Sequence, residues 1–226
     1  MQNNTESNKM KVEVWSDIMC PFCYIGKRHY ETALNQLPDR NYIDLEWKSF
    51  QLDPTIPKTF AKKQNLFEYL ADSKGISVQQ SMQMHQKVLN MASQAGLNFQ
   101  FDNAVVANSF DAHRIIQMAK TKGLGDEAEE RFFKAYFTEG KDLADHKILS
   151  LVGNEIGLND DEINLALTDD LYAYKIKADV KEADAIGISG VPFFVFDRKF
   201  AVSGAQPVQV FLQTLQKSFA ELHKAN

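Results

Sequence analysis

Cysteine is scarce in this sequence. Among 226 residues there are two cysteines, and both lie in one segment, Cys20-Pro21-Phe22-Cys23. No cysteine is left over for a framework of structural disulfides, which excludes the class of small extracellular proteins that depend on one. The pair therefore has to be explained by its own chemistry.

Long apolar runs and an excess of basic residues are also absent. No stretch approaches the roughly 18 apolar residues that suggest a membrane span. Residues 1–10 are polar and lack the apolar core of a secretory signal. The formal net charge is -5, whereas a surface that binds nucleic acid needs clustered Lys and Arg. We therefore expect a cytoplasmic protein that binds neither nucleic acid nor membranes.

Proline is missing from residues 58–191, although six prolines occur elsewhere in the chain. Glycines punctuate this stretch at intervals suited to helix ends, and apolar residues repeat at the spacing of an amphipathic helix. Phe132, Phe133, Tyr136 and Phe137 would form one wide aromatic face. The pattern predicts an all-helical block over residues 63–186.

The segments on either side of this block are typical of β-strands. Residues 11–17 and 42–48 alternate between apolar and polar side chains, and a helical pattern over residues 22–36 lies between them. A strand, a helix and a strand in so short a span predict a right-handed parallel crossover. Beyond the block, residues 193–196 and 200–202 predict a β-hairpin.

A closing helix that begins at Pro207 completes the order of elements. Without the helical block, this order is that of the thioredoxin fold, so we predict an α/β protein with a thioredoxin-like fold and a large all-helical insertion. The thioredoxin-like domain would comprise residues 11–62 and 187–226, the insertion residues 63–186, and residues 1–10 would be a disordered leader.

The pair Cys20 and Cys23 is best explained as a redox centre. Two cysteines separated by two residues can close a small disulfide with little backbone movement. As a structural crosslink, so short a loop would stabilise the fold by only about 2 kcal/mol. If Pro21 lies in the first helical turn, Cys20 lies where free N-H groups and the helix dipole stabilise a thiolate, the nucleophilic form. Cys20 would then form the mixed disulfide that Cys23 resolves.

Two other interpretations of the motif remain open. A closed zinc site needs four ligands, and the five histidines show no pairing at ligand spacing, so only a dimer that shares two such motifs could complete one. The pair could also be incidental. The dipeptide Pro21-Phe22 carries no cation, so a redox centre here should have a middling reduction potential.

Several residues outside the motif have both a structural and a functional interpretation. Val191-Pro192 is either the start of a strand or a cis peptide bond that exposes the Val191 backbone to a substrate chain. Asp17 is either a proton carrier or the end of a strand. Gln206, at the start of the last helix, could help to hold a carboxylate such as that of glutathione, though most helix starts hold nothing.

Two candidates lie within the predicted helical block. Asn108, with Asp111, flanks the start of a helix and is either a helix cap or a residue that supports the site. His113, on the same helix, is either a hydrogen-bonded packing residue or a substrate contact.

The segments CPFCYIG, NSFDAHR, FKAYFTEGKDLAD, SGVPFFVF and VSGAQP, in this order, resemble the FrnE-like branch of the DsbA family. That branch is related to 2-hydroxychromene-2-carboxylate isomerases and kappa-class glutathione transferases. The resemblance implies that Cys20 is the nucleophile, Cys23 the resolving thiol and Pro192 a cis-proline. It also implies that Asn108 and His113 face the redox centre from the insertion.

The sequence departs from the family in two places, both between the cysteines. It has Phe22 where these proteins often carry Trp, and it lacks the histidine that DsbA proper places there. These departures bear on the direction of electron flow more than on the chemistry.

We therefore predict a thiol-disulfide oxidoreductase or disulfide isomerase that acts on protein or small-molecule thiols and disulfides. Glutathione is a candidate thiol substrate, no cofactor is tightly bound, and the protein is a monomer or homodimer. In a reducing cytoplasm, reduction or isomerisation is the expected direction.

Two further functions stay open. One is a glutathione-dependent isomerase or transferase, although the related enzymes usually carry Ser where Cys20 stands. The other is a non-enzymatic holdase that uses Met82, Met84 and Met91 as an apolar surface. Packing in a helical core explains these methionines more simply.

Overall fold

The structure is a computed structural model that describes residues 9–38, 40–58 and 65–224. Most of the predicted leader and the predicted domain boundary at residue 62 lie outside the described residues. The assignment of two domains stays a prediction.

A mixed four-stranded sheet forms the frame of the molecule. Its strands are β1 (Met10–Ser16), β2 (Ile43–Ser49), β3 (Phe193–Phe196) and β4 (Phe200–Ser203). They lie in the order β2-β1-β3-β4, with β1 parallel to β2 and antiparallel to β3, and with β3 antiparallel to β4. The predicted parallel crossover and the predicted hairpin are both present.

The first strand begins earlier than its sequence pattern indicates. Met10 belongs to β1, is fully buried and pairs in register with Ile43. The assignment of residue 10 to a disordered leader was therefore wrong, because its side chain belongs to the apolar core under the sheet.

Helices make up most of the rest of the described chain. They are α1 (Pro21–Leu34), α2 (Leu66–Lys74), α3 (Val78–Gln94), α4 (Phe110–Lys120), α5 (Gly125–Phe133), α6 (His146–Glu155), α7 (Asp160–Thr168), α8 (Asp170–Ala185) and α9 (Val208–Lys224). A π-helical turn (Lys134–Thr138) continues α5, and a short 3-10 turn (Arg40–Tyr42) precedes β2. Among the described residues, α2 to α8 all lie between β2 and β3, as expected of a thioredoxin-like fold with a helical insertion.

The helices begin where the sequence supplies caps. The Ser77 hydroxyl accepts a hydrogen bond from the Gln80 N-H at the start of α3, and the Gln80 side chain accepts one from the Ser77 N-H. This reciprocal arrangement satisfies backbone donors that an α-helix leaves unpaired at its N-terminus. The last helix begins at Val208, so Pro207 directly precedes it.

Two apolar cores flank the elements that carry the cysteines. One is built from the sheet, α1 and α9, with Tyr30, Phe194 and Phe211 in mutual aromatic contact. The larger core lies within the helical block and extends to Cys20 and Cys23. The cysteine pair therefore lies at the junction between α1 and the inserted helices.

The predicted aromatic face contributes to the larger core. Phe132, Phe133, Tyr136 and Phe137 are each at most 1% exposed. The ring of Tyr24, on α1, stacks on Phe133 with centroids 4.9 Å apart. Such contacts, together with their buried area, fix α1 against α5. None of the described helices is both long and apolar enough to cross a membrane.

Candidate active site

The cysteine pair lies at the junction between β1 and α1. Cys20 is the N-cap residue of α1 and Pro21 occupies the first turn, as predicted. The Cys20 N-H donates to the Asp17 carbonyl at 2.8 Å, and the Cys23 N-H donates to the Cys20 carbonyl at 3.0 Å. Cys20 therefore lies at the positive end of the helix dipole, where an anion is favoured.

The two thiols differ in their surroundings. Both are free, and Cys20 is 2% exposed whereas Cys23 is fully buried. Burial raises the pKa of the Cys23 thiol well above its usual range, and a hydrogen bond to Cys20 and the Cys20 charge raise it further. The Asp17 backbone and the Ser16 side chain act in the opposite direction through hydrogen bonds. Cys23 therefore keeps its proton more readily than an ordinary thiol.

The segment before β3 lies against the first cysteine. The Val191-Pro192 peptide bond is cis, which is one of the two interpretations that the sequence allowed. The Cys20 Sγ lies 3.6 Å from the Val191 carbonyl oxygen, within hydrogen-bond range for a thiol donor. The Gly204 N-H donates to the Pro192 carbonyl at 2.8 Å and holds this segment against β4.

A glycine on α1 allows this close approach. A Cβ atom at Gly26 would lie 3.0 Å from the Pro192 Cγ and 3.5 Å from the Phe194 ring. The first distance is tighter than nine in ten contacts that real Cβ atoms make, so the absence of a side chain at residue 26 lets the proline pack beside the redox pair.

A cavity of about 770 Å³ opens beside Cys20, and Pro21 and Phe22 form part of its lining. Phe22 is 39% exposed and so places an aromatic ring at the site. Helices α2 and α3 supply much of the apolar wall, including Leu70 and Val88. The volume is in the range of cavities that bind small molecules.

The methionines of α3 do not pack in a helical core. Met82, Met84 and Met91 are 51%, 41% and 37% exposed, and the last two line the cavity. The prediction that core packing explains them was wrong, because Met84 and Met91 border the cavity and Met82 is half exposed.

Asp17 directly follows β1 and is 2% exposed. Its carboxylate accepts hydrogen bonds from the Met19 N-H at 3.1 Å and from the Leu52 N-H at 2.8 Å. It also lies 3.4 Å from the Nε2 atom of His113. Asp17 thus holds together the turn before Cys20, the loop after β2 and helix α4, whereas its role as a proton carrier stays a prediction.

His113 is fully buried on α4 and does not line the cavity. The pKa of His113 is raised above its usual value. Burial lowers this pKa, but the hydrogen bond with Asp17 and the Asp17 charge raise it by more. The charges of Glu129 and Asp179 raise it further. The structure places His113 behind the turn that carries Cys20, and a direct contact with substrate stays a prediction.

The side chain of Asn108 forms hydrogen bonds with the backbone at the start of α4 and with the loop that contains Ile56. Its Oδ1 accepts from the Phe110 N-H at 2.9 Å, and its side-chain amide donates to the Ile56 carbonyl. Asn108 does not line the cavity. The capping interpretation describes its contacts, although the N-cap residue itself is Ser109.

Gln206 precedes α9 and does not line the cavity beside Cys20. Its side-chain amide donates to the Ser203 carbonyl at 2.9 Å, and its own carbonyl lies 2.8 Å from the His29 Nδ1. The proposed carboxylate site at this helix start stays a prediction.

The chain is similar to a known protein family. Residues 11–216 match the family model of the DSBA-like thioredoxin domain. The chain belongs to this family. The match covers nearly all of β1, the inserted helices and about half of α9, so the DsbA-like fold describes most of the chain.

Individual proteins of known sequence or structure are also similar to this chain over most of its length. This DsbA-like chain is 29% identical over 205 residues to the uncharacterized protein YwbO of Bacillus subtilis, covering 88% of this chain and 92% of the relative. A probable DsbA oxidoreductase from Streptomyces coelicolor superimposes with a TM-score of 0.88 and 34% identity, covering 94% of this chain and 91% of the other.

A more distant neighbour shares the fold. The cytosolic disulfide reductase DsbM from Pseudomonas aeruginosa, in a structure with GSH, has a TM-score of 0.63 and 16% identity, covering 95% of this chain and 98% of the other. The family as a whole supports a role as an oxidoreductase or disulfide isomerase.

One charged residue of the DsbA-like domain was missed by the sequence reasoning. Glu129, on α5, is 1% exposed, and its carboxylate accepts a hydrogen bond from the Ser16 hydroxyl at 3.3 Å. A signal was present, since Glu129 precedes Phe132 and Phe133 by three and four residues and so falls on the same helix face as these buried rings.

The carboxyl group of Glu129 titrates far from its usual range. Burial is the main cause that raises its pKa to about 7, and the charges of Asp126 and Asp17 raise it further. The charge of His113 and the hydrogen bond from Ser16 act in the opposite direction. A buried carboxyl group with this pKa can hold or release a proton near neutral pH.

Proposed function

We propose that this chain is a thiol-disulfide oxidoreductase or disulfide isomerase in which Cys20 is the nucleophile and Cys23 the resolving thiol. The observation that supports this most is the placement of Cys20 at the N-terminus of α1, at the lining of a large apolar cavity, with Cys23 buried one turn behind it. At this position Cys20 can meet a substrate that enters the cavity, whereas Cys23 does not line it.

The reaction follows from thiol-disulfide exchange. The Cys20 thiolate attacks one sulfur of a substrate disulfide, the substrate S-S bond breaks, and the departing thiolate takes up a proton. The Cys23 sulfur then attacks the Cys20 Sγ, which closes the Cys20-Cys23 disulfide and releases the second substrate thiol. The substrate gains two electrons from the two cysteines, one proton from the Cys23 thiol and one proton from water. The reverse sequence oxidises a dithiol.

The difference between the two thiols sets their order of reaction. Because its pKa is raised by burial, Cys23 stays protonated while Cys20 attacks. Only after the mixed disulfide has formed does Cys23 have an electrophilic sulfur within reach. The arrangement supports Cys20 as the residue that meets the substrate.

The substrates are thiols and disulfides of proteins or small molecules, with glutathione as a candidate. The cavity beside Cys20 is large enough for a small thiol or an extended side chain, and the distant neighbour DsbM has been solved with GSH. In a reducing cytoplasm the chain would act as a reductase or an isomerase rather than as an oxidant.

Insulin reduction tests the proposal. The reduced protein should accelerate the precipitation of insulin chains, Cys20→Ser should abolish this activity, and Cys23→Ser should accumulate a mixed disulfide that mass spectrometry detects. Full activity of Cys20→Ser would contradict the proposal.

The same variant separates the alternative functions. Glutathione conjugation that persists in Cys20→Ser would instead indicate the isomerase or transferase type, and suppression of aggregation with neither activity would indicate a holdase.

A further inference from the structure

Helix α3 turns one face toward the cavity beside Cys20. This face consists of residues at the i, i+3, i+4 and i+7 spacing of a single helix face, namely Met84, Lys87, Val88 and Met91. Lys87 is therefore a charged residue within an otherwise apolar wall.

Helix α2 places a second lysine on the same cavity. Its cavity face follows the same spacing and consists of Leu66, Tyr69, Leu70, Ser73 and Lys74. Lys74 and Lys87 are both exposed, so they line the part of the cavity that opens to solvent. Phe101 and Phe137 are buried and line its inner part. The cavity is thus apolar inside and cationic at its opening.

The two lysines have no carboxylate partner. Within the described part of the chain, the side chain of neither lysine forms an ion pair or a hydrogen bond. Asp53 also lines the cavity, but its carboxylate accepts hydrogen bonds from the Tyr69 and Thr55 hydroxyls. Asp17, the remaining charged residue of the described lining, is buried and accepts from backbone N-H groups. Both ammonium groups are therefore available to a bound anion.

We propose that the small-molecule substrates of this site are amphipathic acids, thiols or disulfides that carry an apolar chain with a carboxylate at its far end. The substrate sulfur meets Cys20, the chain lies along the cavity faces of α2 and α3, and the carboxylate lies between Lys74 and Lys87. This inference rests on the proposed function, because it names the substrate class of the same cysteine pair.

The two parts of such a molecule gain affinity from different parts of the site. Each CH₂ group that leaves water for the apolar wall favours binding by about fourfold. An ion pair with an exposed lysine contributes less, and the two lysines together favour a carboxylate over a neutral group by about fivefold. The apolar chain therefore supplies most of the affinity, and the charged end selects among molecules with the same chain.

Glutathione fits these features less well. It carries charged groups at both of its ends and amide groups between them, and polar groups lose their hydrogen bonds with water where a wall is apolar. Its ammonium group would also meet the like charges of Lys74 and Lys87 at the opening. An acid with a single charged end avoids both costs.

Dihydrolipoate is a probe of this class, since it carries a dithiol, an apolar chain and a terminal carboxylate. One of its thiolates attacks the Cys20 Sγ of the oxidised protein, the Cys20-Cys23 bond breaks, and the Cys23 sulfur takes up a proton. The second thiol of the probe then closes the dithiolane ring and releases the Cys20 thiolate. The probe loses two electrons and two protons. The protein gains both electrons, Cys23 gains one proton, and the other goes to Cys20 or to water.

Reduction of the oxidised protein by dihydrolipoate and by dihydrolipoamide tests the proposal, because these probes share the dithiol and the chain and differ in the carboxylate. Acid quenching, alkylation and mass spectrometry give each rate constant, which is divided by that of the same probe with 2-hydroxyethyl disulfide. Dihydrolipoate should react faster than dihydrolipoamide by about fivefold. Dihydro-bisnorlipoate, whose chain is two CH₂ groups shorter, should react more slowly than dihydrolipoate by about tenfold.

A pair of double variants assigns the preference to the two lysines. Lys74→Gln combined with Lys87→Gln keeps long unbranched side chains, removes both charges and should abolish the preference for dihydrolipoate over dihydrolipoamide. Lys177→Gln combined with Lys181→Gln is the matched control. These two exposed lysines of α8 do not line the cavity, so their removal changes the net charge equally and should keep the preference.

The inference would be overturned if the wild-type protein reacted equally fast with dihydrolipoate and dihydrolipoamide. It would also be overturned if the shorter chain reacted as fast as the longer one, or if the variant without Lys74 and Lys87 kept the preference. Dithiothreitol, which has neither the chain nor the carboxylate, separates this failure from that of the proposed function. Only a protein with no Cys20-Cys23 disulfide for dithiothreitol to reduce would contradict the proposed function itself.

Discussion

Replacing Glu129 with glutamine should stabilise the folded chain at pH 8 and have little effect on its stability at pH 4. The pKa of this carboxyl group is raised by burial from 4.5 to about 7 in the folded chain. A group whose pKa is raised by folding contributes stability that is fully present below pH 4.5 and is lost as the pH rises through about 7.

The size of the effect follows from the same two values. Each tenfold change in proton affinity corresponds to about 1.4 kcal/mol, so the difference between 4.5 and about 7 corresponds to about 3 kcal/mol of stability lost at pH 8. Glutamine is close in shape to a protonated glutamate, can still accept the Ser16 hydrogen bond and carries no charge. It therefore avoids the cost of a buried anion.

Urea denaturation at pH 4 and pH 8 measures this difference. Glu130→Gln serves as the control with the opposite sign. The pKa of Glu130 is lowered because its hydrogen bonds with Arg28 and Tyr24 outweigh burial, so this substitution should destabilise the chain at pH 8. If Glu129→Gln shifted stability equally at both pH values, or destabilised the chain at pH 8, the buried carboxyl group would not have the raised pKa given above.

Two further predictions concern the residues around the cysteine pair. Gly26→Ala places a Cβ atom 3.0 Å from Pro192 and should destabilise the chain to urea by about 1–2 kcal/mol, since overpacking exceeds the gain in helix propensity. Gly190→Ala, whose Cβ would have no neighbouring atom within 4 Å, should be close to neutral, and equal losses in both variants would contradict this explanation. Asp17→Asn should lower the pKa of His113 in an NMR titration, because Asp17 is the main group that raises it; an unchanged His113 pKa would show that the contact is not an ion pair.

Local patterns in the sequence were enough to predict the strands and the helical block, whereas they left the Val191-Pro192 bond open and only the family resemblance implied that it is cis. Alternation over residues 42–48 and the apolar run over residues 193–196 report directly on burial at a sheet, because side chains of a strand point to opposite faces in turn. The position of Cys20 at the start of α1 followed from Pro21, which fits the first turn of a helix.

Contacts between distant segments could not be predicted in this way. The Ser16 hydroxyl meets Glu129 across 113 residues of sequence, and Asp17 meets His113 across a similar gap. Only the packing of α4 and α5 behind β1 brings these groups together. The exposed face of α3 at Met84 illustrates the same limit, since helical periodicity reveals an apolar face but not whether a core or a cavity lies beside it.

The proposed reaction requires Cys20 and Cys23 to exchange two electrons as a pair. Its most direct test equilibrates the protein with glutathione buffers of graded composition, quenches with acid and counts free thiols by alkylation and mass spectrometry. We expect a single two-electron transition to a Cys20-Cys23 disulfide, at a middling potential, that disappears in both Cys20→Ser and Cys23→Ser. Two thiols that stay free at every buffer composition, or that titrate independently of each other, would contradict it.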